Sequence, residues 1–411
     1  MKNPFAPRSV RSAGLSAASG ASSLAALIIA HGLAGAAHAA EAAAATSNGG
    51  PGATATLDAV VVEDTKARQL SSPKFTEPLR DTPQTIVVVP SEVYLQQGAS
   101  TLSDVLRNTP GITFAAGEGG SAASTAGDAF YLRGFDASNS IFIDGVRDVG
   151  AYSRDVFNLE QVEIAKGPAG TDVGRGASSG YINLVTKTPH LGDSVAATLS
   201  FGVDDASRGG ERRRATLDAD EALRNSPVPG TAVRLNLMGQ DSAAVGRDFA
   251  RNRGWAVAPS LALGLGTPTR ATLAYQHNEQ DNRPDYGLPG ALFPGFVSNP
   301  PPPSVDRSTY YGFTADHDTV VSDAVTARLE RDVSSDAHLT NQTRYSSNSR
   351  DAVVTGPGTN VASYDPATGL LTRSRQANRR DTSILSNQTN LTARAVTGPI
   401  RHDLSAGLEL S

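Results

Sequence analysis

The sequence predicts an α+β domain of short strands, followed by an antiparallel β-barrel that spans a membrane. Three observations carry this expectation. Between Asp128 and Pro189, strand-length apolar runs are closed repeatedly by Gly, Pro or Asp-Gly, which are turn and breaker signals. After Leu191 the texture changes to segments such as Ser194–Val203, Thr231–Gln240, Trp255–Gly264 and Arg270–Asn278, with partial alternation of apolar and polar residues. The N-terminus carries an export pattern: Lys2, Arg8 and Arg11, then apolar Leu24 to Leu33, then Ala37-His38-Ala39.

The composition fits this reading. At 411 residues, two domains are the natural expectation. A net charge of −5 gives no basic footprint for nucleic acid. Hydrophobic residues make up 39%, and beyond the N-terminus no run reaches the roughly 18 apolar residues that a membrane helix requires. Barrel strands have a weaker hydropathy signal, so a membrane location stays open. With no cysteine, disulfides and thiolate metal sites are excluded.

Residues 1–40 read as a signal peptide, with a disordered Ala-rich leader as the alternative. Residues 41–74 read as a flexible linker of Ala, Gly, Ser and Thr. Within the linker, Leu57-Asp58-Ala59-Val60-Val61-Val62-Glu63 is a lone β-branched run, an edge seeking a partner strand or else the first strand of the following sheet. Fewer than twenty residues separate the expected cleavage site from this run, too few for a further folded domain. A domain over 75–190 then opens with a strand at Thr85–Val89 between Pro83 and Pro90. Ser91 is expected to cap a helix running to about Gln97, and a second helix spans Ser100 to Arg107 with Leu102, Val105 and Leu106 on one face. Gly117–Asp128 reads as a surface loop.

The barrel is expected over 191–411. In Thr231–Gln240, Val233, Leu235 and Leu237 alternate with Arg234, Asn236 and Met238, giving one face for lipid and one for water or protein. Further strands are expected at Ala324–Asp332, Ala337–Ser346, Thr382–Arg394 and Arg401–Leu410. The Pro/Tyr/Gly-rich stretch from Asn278 to Thr319 reads as an extracellular loop. No catalytic set is visible: there is no G-x-S-x-G elbow and no H-E-x-x-H helix. Gly174 to Gly180 lacks the Gly-Lys-Ser/Thr ending of a phosphate loop. No enzymatic activity, cofactor or metal site is expected.

Four pieces in order carry more information than any one of them. They are Phe130-Tyr131-Leu132-Arg133-Gly134-Phe135, Ile141-Phe142-Ile143-Asp144-Gly145, Val162-Glu163-Ile164-Ala165-Lys166-Gly167-Pro168, and Gly174-Arg175-Gly176 through Gly180-Tyr181-Ile182-Asn183 to Lys187. Together with Leu102 to Gly111, they resemble the plug domain of TonB-dependent outer-membrane receptors. The spellings Leu132-Arg133-Gly134-Phe135-Asp136 and Asp144-Gly145-Val146-Arg147-Asp148 are similar to the catecholate siderophore receptors.

The resemblance implies active uptake of a ferric siderophore across the outer membrane, with iron present only as cargo. Leu57–Glu63 would be the TonB box, captured by the TonB energy-coupling protein through strand addition. Arg133, Gly134, Asp144, Gly145, Glu163, Lys166, Gly167, Pro168, Gly174, Arg175 and Gly180 would be structural positions of the plug. Arg133 and Arg175 would bridge to the barrel wall, and Lys166 would anchor to a neighbouring acidic group. Ser138, Asn139, Tyr152 and Arg154 would lie near the ligand on externally facing loops, joined by Arg283 and Tyr286 from the long loop. For Arg154, a salt bridge to the wall is the equal alternative. An anionic aromatic chelate calls for arginine charge and aromatic surfaces. Another chelate, such as haem or cobalamin, is the runner-up cargo, and a passive porin-like barrel is the alternative of a different class. A barrel wide enough for such a plug needs about 22 strands, roughly twice the residues that follow Lys187. The chain therefore reads as an N-terminal piece of a longer receptor.

Overall fold

The computed structural model describes residues 70–114, 127–169, 179–205, 210–290, 305–358 and 361–411. The expected signal peptide, the Leu57–Glu63 box, Gly174 and Arg175 lie outside the described residues. What is described is an N-terminal plug of short strands and two short helices, set against a wall of long antiparallel strands.

The plug begins with strand β1 (Thr85–Pro90) and helices α1 (Ser91–Gln96) and α2 (Leu102–Leu106). Both helices are shorter than expected. Pro90 is the N-cap of α1, so Ser91 is its first helical residue and not its cap. α2 starts later because Thr101 and Asp104 form a capping box, each side chain accepting the other's backbone N–H. Leu102, Val105 and Leu106 are buried, as three- and four-residue spacing dictates.

Strands β2 (Ile112–Phe114), β3 (Phe130–Leu132) and β4 (Phe135–Asp136) form a small sheet. β5 (Ile141–Ile143), β6 (Val146–Arg147), β7 (Leu159–Lys166) and β8 (Gly180–Thr186) join β1 in a five-stranded sheet ordered β1-β7-β8-β5-β6. β5 and β8 run parallel, while the other pairs are antiparallel. Val162, Ile164, Ile182 and Leu184 face Tyr94, Leu102, Val105 and Leu106 in the main core. On the opposite face, Ala165, Phe142 and Tyr181 form a second, smaller cluster. Glu163 and Asn183 are cross-strand partners.

The expected Arg-Gly and Asp-Gly punctuation has a specific backbone reason. Arg133 and Gly134 join β3 to β4 with φ of 54° and 85°, and Asp144 and Gly145 join β5 to β6 with φ of 50° and 79°. Positive φ at both central residues is the requirement of a type I′ hairpin turn. Asp144 also accepts hydrogen bonds from the Thr186 amide at 2.9 Å and its hydroxyl at 2.7 Å, which ties this turn to β8.

The wall holds nine strands in chain order: β9 (Ser194–Asp204), β10 (Gly210–Ala222), β11 (Ala232–Ala243), β12 (Arg251–Leu263), β13 (Thr269–Asn282), β14 (His317–Ser334), β15 (Ala337–Pro357), β18 (Arg373–Thr397) and β19 (Ile400–Leu410). A separate hairpin, β16 (Tyr364–Asp365) with β17 (Leu370–Leu371), sits between β15 and β18 in the chain. Period two separates the faces. Leu273, Leu329, Leu385, Leu404 and Leu408 are exposed, whereas Asn278, Gln280, Gln342, Arg344 and Gln388 are buried toward the plug. Strands of 18, 21 and 25 residues in β14, β15 and β18 far exceed the roughly 9–11 that cross a bilayer. The expected segments match these strands, overrunning them by one residue at Thr231 and at Gly264, and β10 was not among them.

Gly180 shows how tightly the plug sheet is built. Its φ is +121°, and a Cβ there would lie 2.0 Å from the Ala165 carbonyl oxygen. Gly180→Ala is therefore expected to destabilise the plug by about 2 kcal/mol or more, since the strain of positive φ adds to a clash with backbone. Amide exchange in β7 and β8 should accelerate while exchange in β13–β15 is unchanged.

Candidate functional site

The segment between β6 and β7 carries a buried ionic cluster. Arg154 is 4% exposed. Its Nε and one terminal nitrogen donate to Asp148 Oδ2 at 2.9 and 2.8 Å, and the other terminal nitrogen donates to Asp128 Oδ2 at 3.1 Å. Further donation goes to the carbonyls of Gly150 at 2.9 Å and Tyr152 at 3.3 Å. The guanidinium lies 4.5 Å from the Tyr152 ring centre, and the Tyr152 hydroxyl donates to Asp148 Oδ2 at 3.1 Å. A buried guanidinium needs such partners, because an unpaired charge in a dry interior is prohibitively costly.

The two carboxylates respond differently. Burial alone would raise Asp148, but Arg154, Arg344 and the Gly150 amide hold it below its ordinary range. Burial pushes Asp128 up against the pull of Arg154, and its Oδ1 has no donor among the described residues. Burial also raises the Tyr152 hydroxyl, with Asp148 adding to the effect.

This arrangement corrects two expectations. Tyr152 and Arg154 do not line an exposed ligand surface, nor does Arg154 bridge to the wall. They cross-link the chain around Asp128 to the chain around Asp148. The other expected ligand residues lie elsewhere. The Ser138 amide donates to Asp136 in a turn, and Asn139 is exposed, with its carbonyl accepting from Arg147. Arg283 donates to the Phe249 carbonyl at 3.1 Å, and the Tyr286 ring packs on Gly356 of β15.

The structural positions also need revision. Arg133 is an exposed turn residue with no carboxylate partner among the described residues, so the expected bridge to the wall is absent there. Lys166 donates to the Pro110 carbonyl at 2.7 Å and not to an acidic group. The Gly167 amide donates to Ser179 at 2.8 Å with φ +104°, and exposed Pro168 follows it. Glu163 is 3% exposed and accepts from the Ser71 amide at 2.7 Å, the Ser71 hydroxyl at 3.1 Å, Gln161 at 2.8 Å and Asn183 at 2.8 Å. Among the described residues, this buried carboxylate is satisfied by neutral donors.

Besides an apolar contact of Phe157 with Met238, Ala256 and Ala258, the plug meets the wall through two kinds of polar contact. Toward β10 and β11 they are ionic. Arg214 grips Asp155 with bonds of 2.6 and 2.8 Å, Lys187 pairs with Asp218 at 3.0 Å, and Arg234 reaches the Thr188 carbonyl at 2.9 Å and Glu160 at 3.6 Å. Toward β13–β18 they are neutral amide bonds, while at the neighbouring β19 an exposed ion pair joins Glu77 to Arg401. Gln280 donates to the Ser153 carbonyl at 2.7 Å, Gln342 to Asp144 at 3.0 Å and Gln388 to Gly145 at 2.9 Å.

Two cavities flank the plug. One of about 360 Å³ lies between the plug sheet and β13–β18, lined by Ser71, Lys74, Asn183, Gln342 and Gln388 among others. The other, of about 900 Å³, lies between α1–α2 and β9–β10 and is lined by Arg107, Arg212 and Arg214. Arg212 was missed from the sequence. In Arg212-Arg213-Arg214, strand alternation puts the first and third residues on one face, a signal masked by the density of charge.

The cluster makes a prediction whose sign reverses on mutation. With Asp148 depressed in the folded state, its contribution is present above the ordinary carboxylate pKa of about 4 and is lost as pH falls below it. Arg154→Ala strands buried carboxylates and should cost about 3–5 kcal/mol near neutral pH. That variant should gain more stability than the parent between pH 7 and 5, because both stranded carboxyls then protonate, whereas in the parent Asp128 alone is raised and Asp148 is held down. Thermal unfolding across pH, or exchange of amides 144–155, checks this.

With this geometry in place, comparison with known proteins is informative. Residues 78–181 match the family model of the TonB-dependent Receptor Plug Domain. The Catecholate siderophore receptor Fiu of Escherichia coli K12 is 41% identical over 382 residues, covering 88% of this chain and 48% of the relative. The open-form crystal structure of the ferric-catecholate import receptor Fiu from E. coli K12 superposes with a TM-score of 0.74 at 38% identity, covering 83% of this chain and 51% of that one. The siderophore receptor PiuA of Acinetobacter baumannii superposes with a TM-score of 0.74 at 30% identity, over 84% and 47% of the two chains. The chain spans about half the length of the curated relatives it matches. Family model, sequence and fold agree: the chain belongs to the TonB-dependent receptors, with their plug domain seated against strands of their barrel wall.

Proposed function

We propose that this chain serves an outer-membrane receptor that actively takes up a ferric siderophore of catecholate type. The observation that carries the reading is the 41% identity to a catecholate siderophore receptor, sustained across plug and wall alike. In this account Leu57–Glu63 is the TonB box and the energy-coupling protein is the partner, engaged by strand addition. Iron arrives only within the cargo, and the outer membrane surrounds the wall, whose exposed leucines suit lipid.

A ferric catecholate is a bulky anion with aromatic rings. Arginines on the inner surface attract it and stack on its rings, and guanidinium is weakly hydrated, so desolvation costs less than for lysine. Arg212, with Arg107 across the same cavity, is a stronger candidate for this than the buried Arg154. Ser138 and Asn139 at their exposed turn, and Arg283 and Tyr286 beyond β13, remain candidates for further contacts. Arg154 acts through position, by fixing the loops around Asp128 and Asp148. A passive pore is disfavoured because the plug's polar contacts run along the inner face of the wall from β10 to β18.

The test is uptake of radioiron by an iron-starved strain carrying the receptor, across a panel of purified ferric chelates. Ferric catecholates should be taken up, and haem and cobalamin should not. Deleting Ala59–Glu63 should abolish uptake while leaving ligand binding intact. A passive pore would be indifferent to that deletion. Arg212→Ala should weaken binding by about tenfold and reduce its salt dependence, as loss of an attracting charge requires.

A further inference from the structure

The first described residues after the linker are tied into a chain of hydrogen bonds that ends on the wall. Ser71 donates through its amide and hydroxyl to Glu163 of β7 at 2.7 and 3.1 Å. Asn183 of β8 donates to the Ser71 hydroxyl oxygen at 3.1 Å and to Glu163 at 2.8 Å. The Asn183 side-chain Oδ1 accepts from the Gly145 amide at 2.9 Å, and the Gly145 carbonyl accepts from Gln388 of β18 at 2.9 Å. Beside it, the Asp144 carbonyl accepts from Gln342 of β15 at 3.0 Å. Ser71 and Lys74 line the same 360 Å³ cavity as Asn183, Gln342 and Gln388.

Two asymmetries give this chain a direction. Hydrogen bonds to β15 and β18 are neutral, and the Glu77–Arg401 pair at neighbouring β19 is solvent-exposed and so weak, whereas contacts on the β10–β11 side are ionic, part-buried and include a two-pronged Arg214–Asp155 pair. Charge-assisted and bidentate bonds are roughly twice as strong as neutral ones, so tension reaching both sides breaks the neutral side first. Release also leaves few orphans. Gln388 keeps a second acceptor in Glu409 at 2.9 Å, and Asn183 keeps Glu163. An alternative partner lowers the barrier to breaking a buried bond, since an unsatisfied group is what makes such a break costly.

We propose that Ser71, Glu163, Asn183, Gly145 and Gln388 form a latch that converts tension on the N-terminal tail into release of the plug from β15–β18, while the ionic contacts with β10–β11 stay closed as the hinge. The cavity beneath Ser71 and Lys74 then widens into the passage for cargo. The inference rests on the proposed uptake function and adds the residues and the side on which the path opens. Glu163 is a positioning residue in this scheme, because it holds Ser71 and Asn183 in line and touches no cargo.

The chain contains no cysteine, so thiols engineered into it react without a native competitor in the plug or in these wall strands. One double variant, Gly145→Cys with Gln388→Cys, spans the latch side; a Cβ at 145 would lie 3.8 Å from the Gln388 side-chain oxygen. The other, Asp155→Cys with Arg214→Cys, spans the hinge side. Each is joined by a short, reducible bis-thiol reagent, with the same unjoined variant as its reference. Linking 145 to 388 should reduce ferric catecholate uptake at least tenfold, leave binding unchanged and be reversed by reductant. Linking 155 to 214 should change uptake less than twofold. Equal uptake with the latch side linked, or equal loss from either linkage, overturns the proposal. The latch is also read without cargo, by exchange at the Ser71 amide. Glu163→Gln should speed that exchange by about tenfold, the consequence of losing a charged acceptor. An unchanged rate overturns it even if no chelate is transported, whereas failure of the unmodified receptor to take up any ferric catecholate counts against the uptake function alone.

Discussion

A β-strand wall with one oily face has a polar second face, and polar groups removed from water must find partners. Most of this structure follows from that constraint. The amides and guanidiniums on the inner face of β10–β18 are buried, and much of what satisfies them is the plug's own backbone: the carbonyls of Asp144, Gly145, Ser153 and Thr188. Side-chain-to-backbone bonds of this kind specify position without demanding a matching side chain on the plug. They also contribute only about 1 kcal/mol each in net terms. On the uptake function proposed above, a plug that has to yield is well served by many modest bonds and few strong ones.

The plug itself is held differently. Its main core is a compact set of branched and aromatic side chains, while its polar groups gather at the Arg154 cluster and at Glu163. The first pairs charge with charge, and the second is a carboxylate held by neutral donors among the described residues. A charge paired with a charge resists separation, and a charge held by amides and hydroxyls exchanges partners more easily. The two sites thus divide the labour: one holds the chain around Asp128 to the chain around Asp148, and the other joins the segment at Ser71 to the central strands.

Much of this was legible in the sequence, for reasons that can be named. Arg133-Gly134 and Asp144-Gly145 were readable because a two-residue turn demands positive φ, which few dipeptides supply. The wall was readable wherever leucine or valine recurred at every second position, as at Val233, Leu235 and Leu237 of β11. β10 was not, because Glu211 to Arg214 puts charge on successive residues and hides the period until the partner strand reveals which side chains turn inward. The role of Arg154 was equally hidden. Its partners Asp128 and Asp148 are adjacent only after folding, and a lone arginine in a loop looks the same whether it meets ligand or carboxylate. Glu163 was recognised as architectural, yet its contact with Ser71 links residues 92 apart and had no local trace.

The order of strands in the plug sheet carries a consequence for biogenesis. β1 lies at the sheet edge and pairs only with β7, Thr85 opposite Lys166 and Pro90 opposite Gln161. A strand rich in valine, with no neighbour until a much later stretch of polypeptide has emerged, is an open invitation to wrong partners. Until β7 is available, Thr85–Val89 has no native partner in this sheet, so mispairing of that stretch competes with folding of the plug.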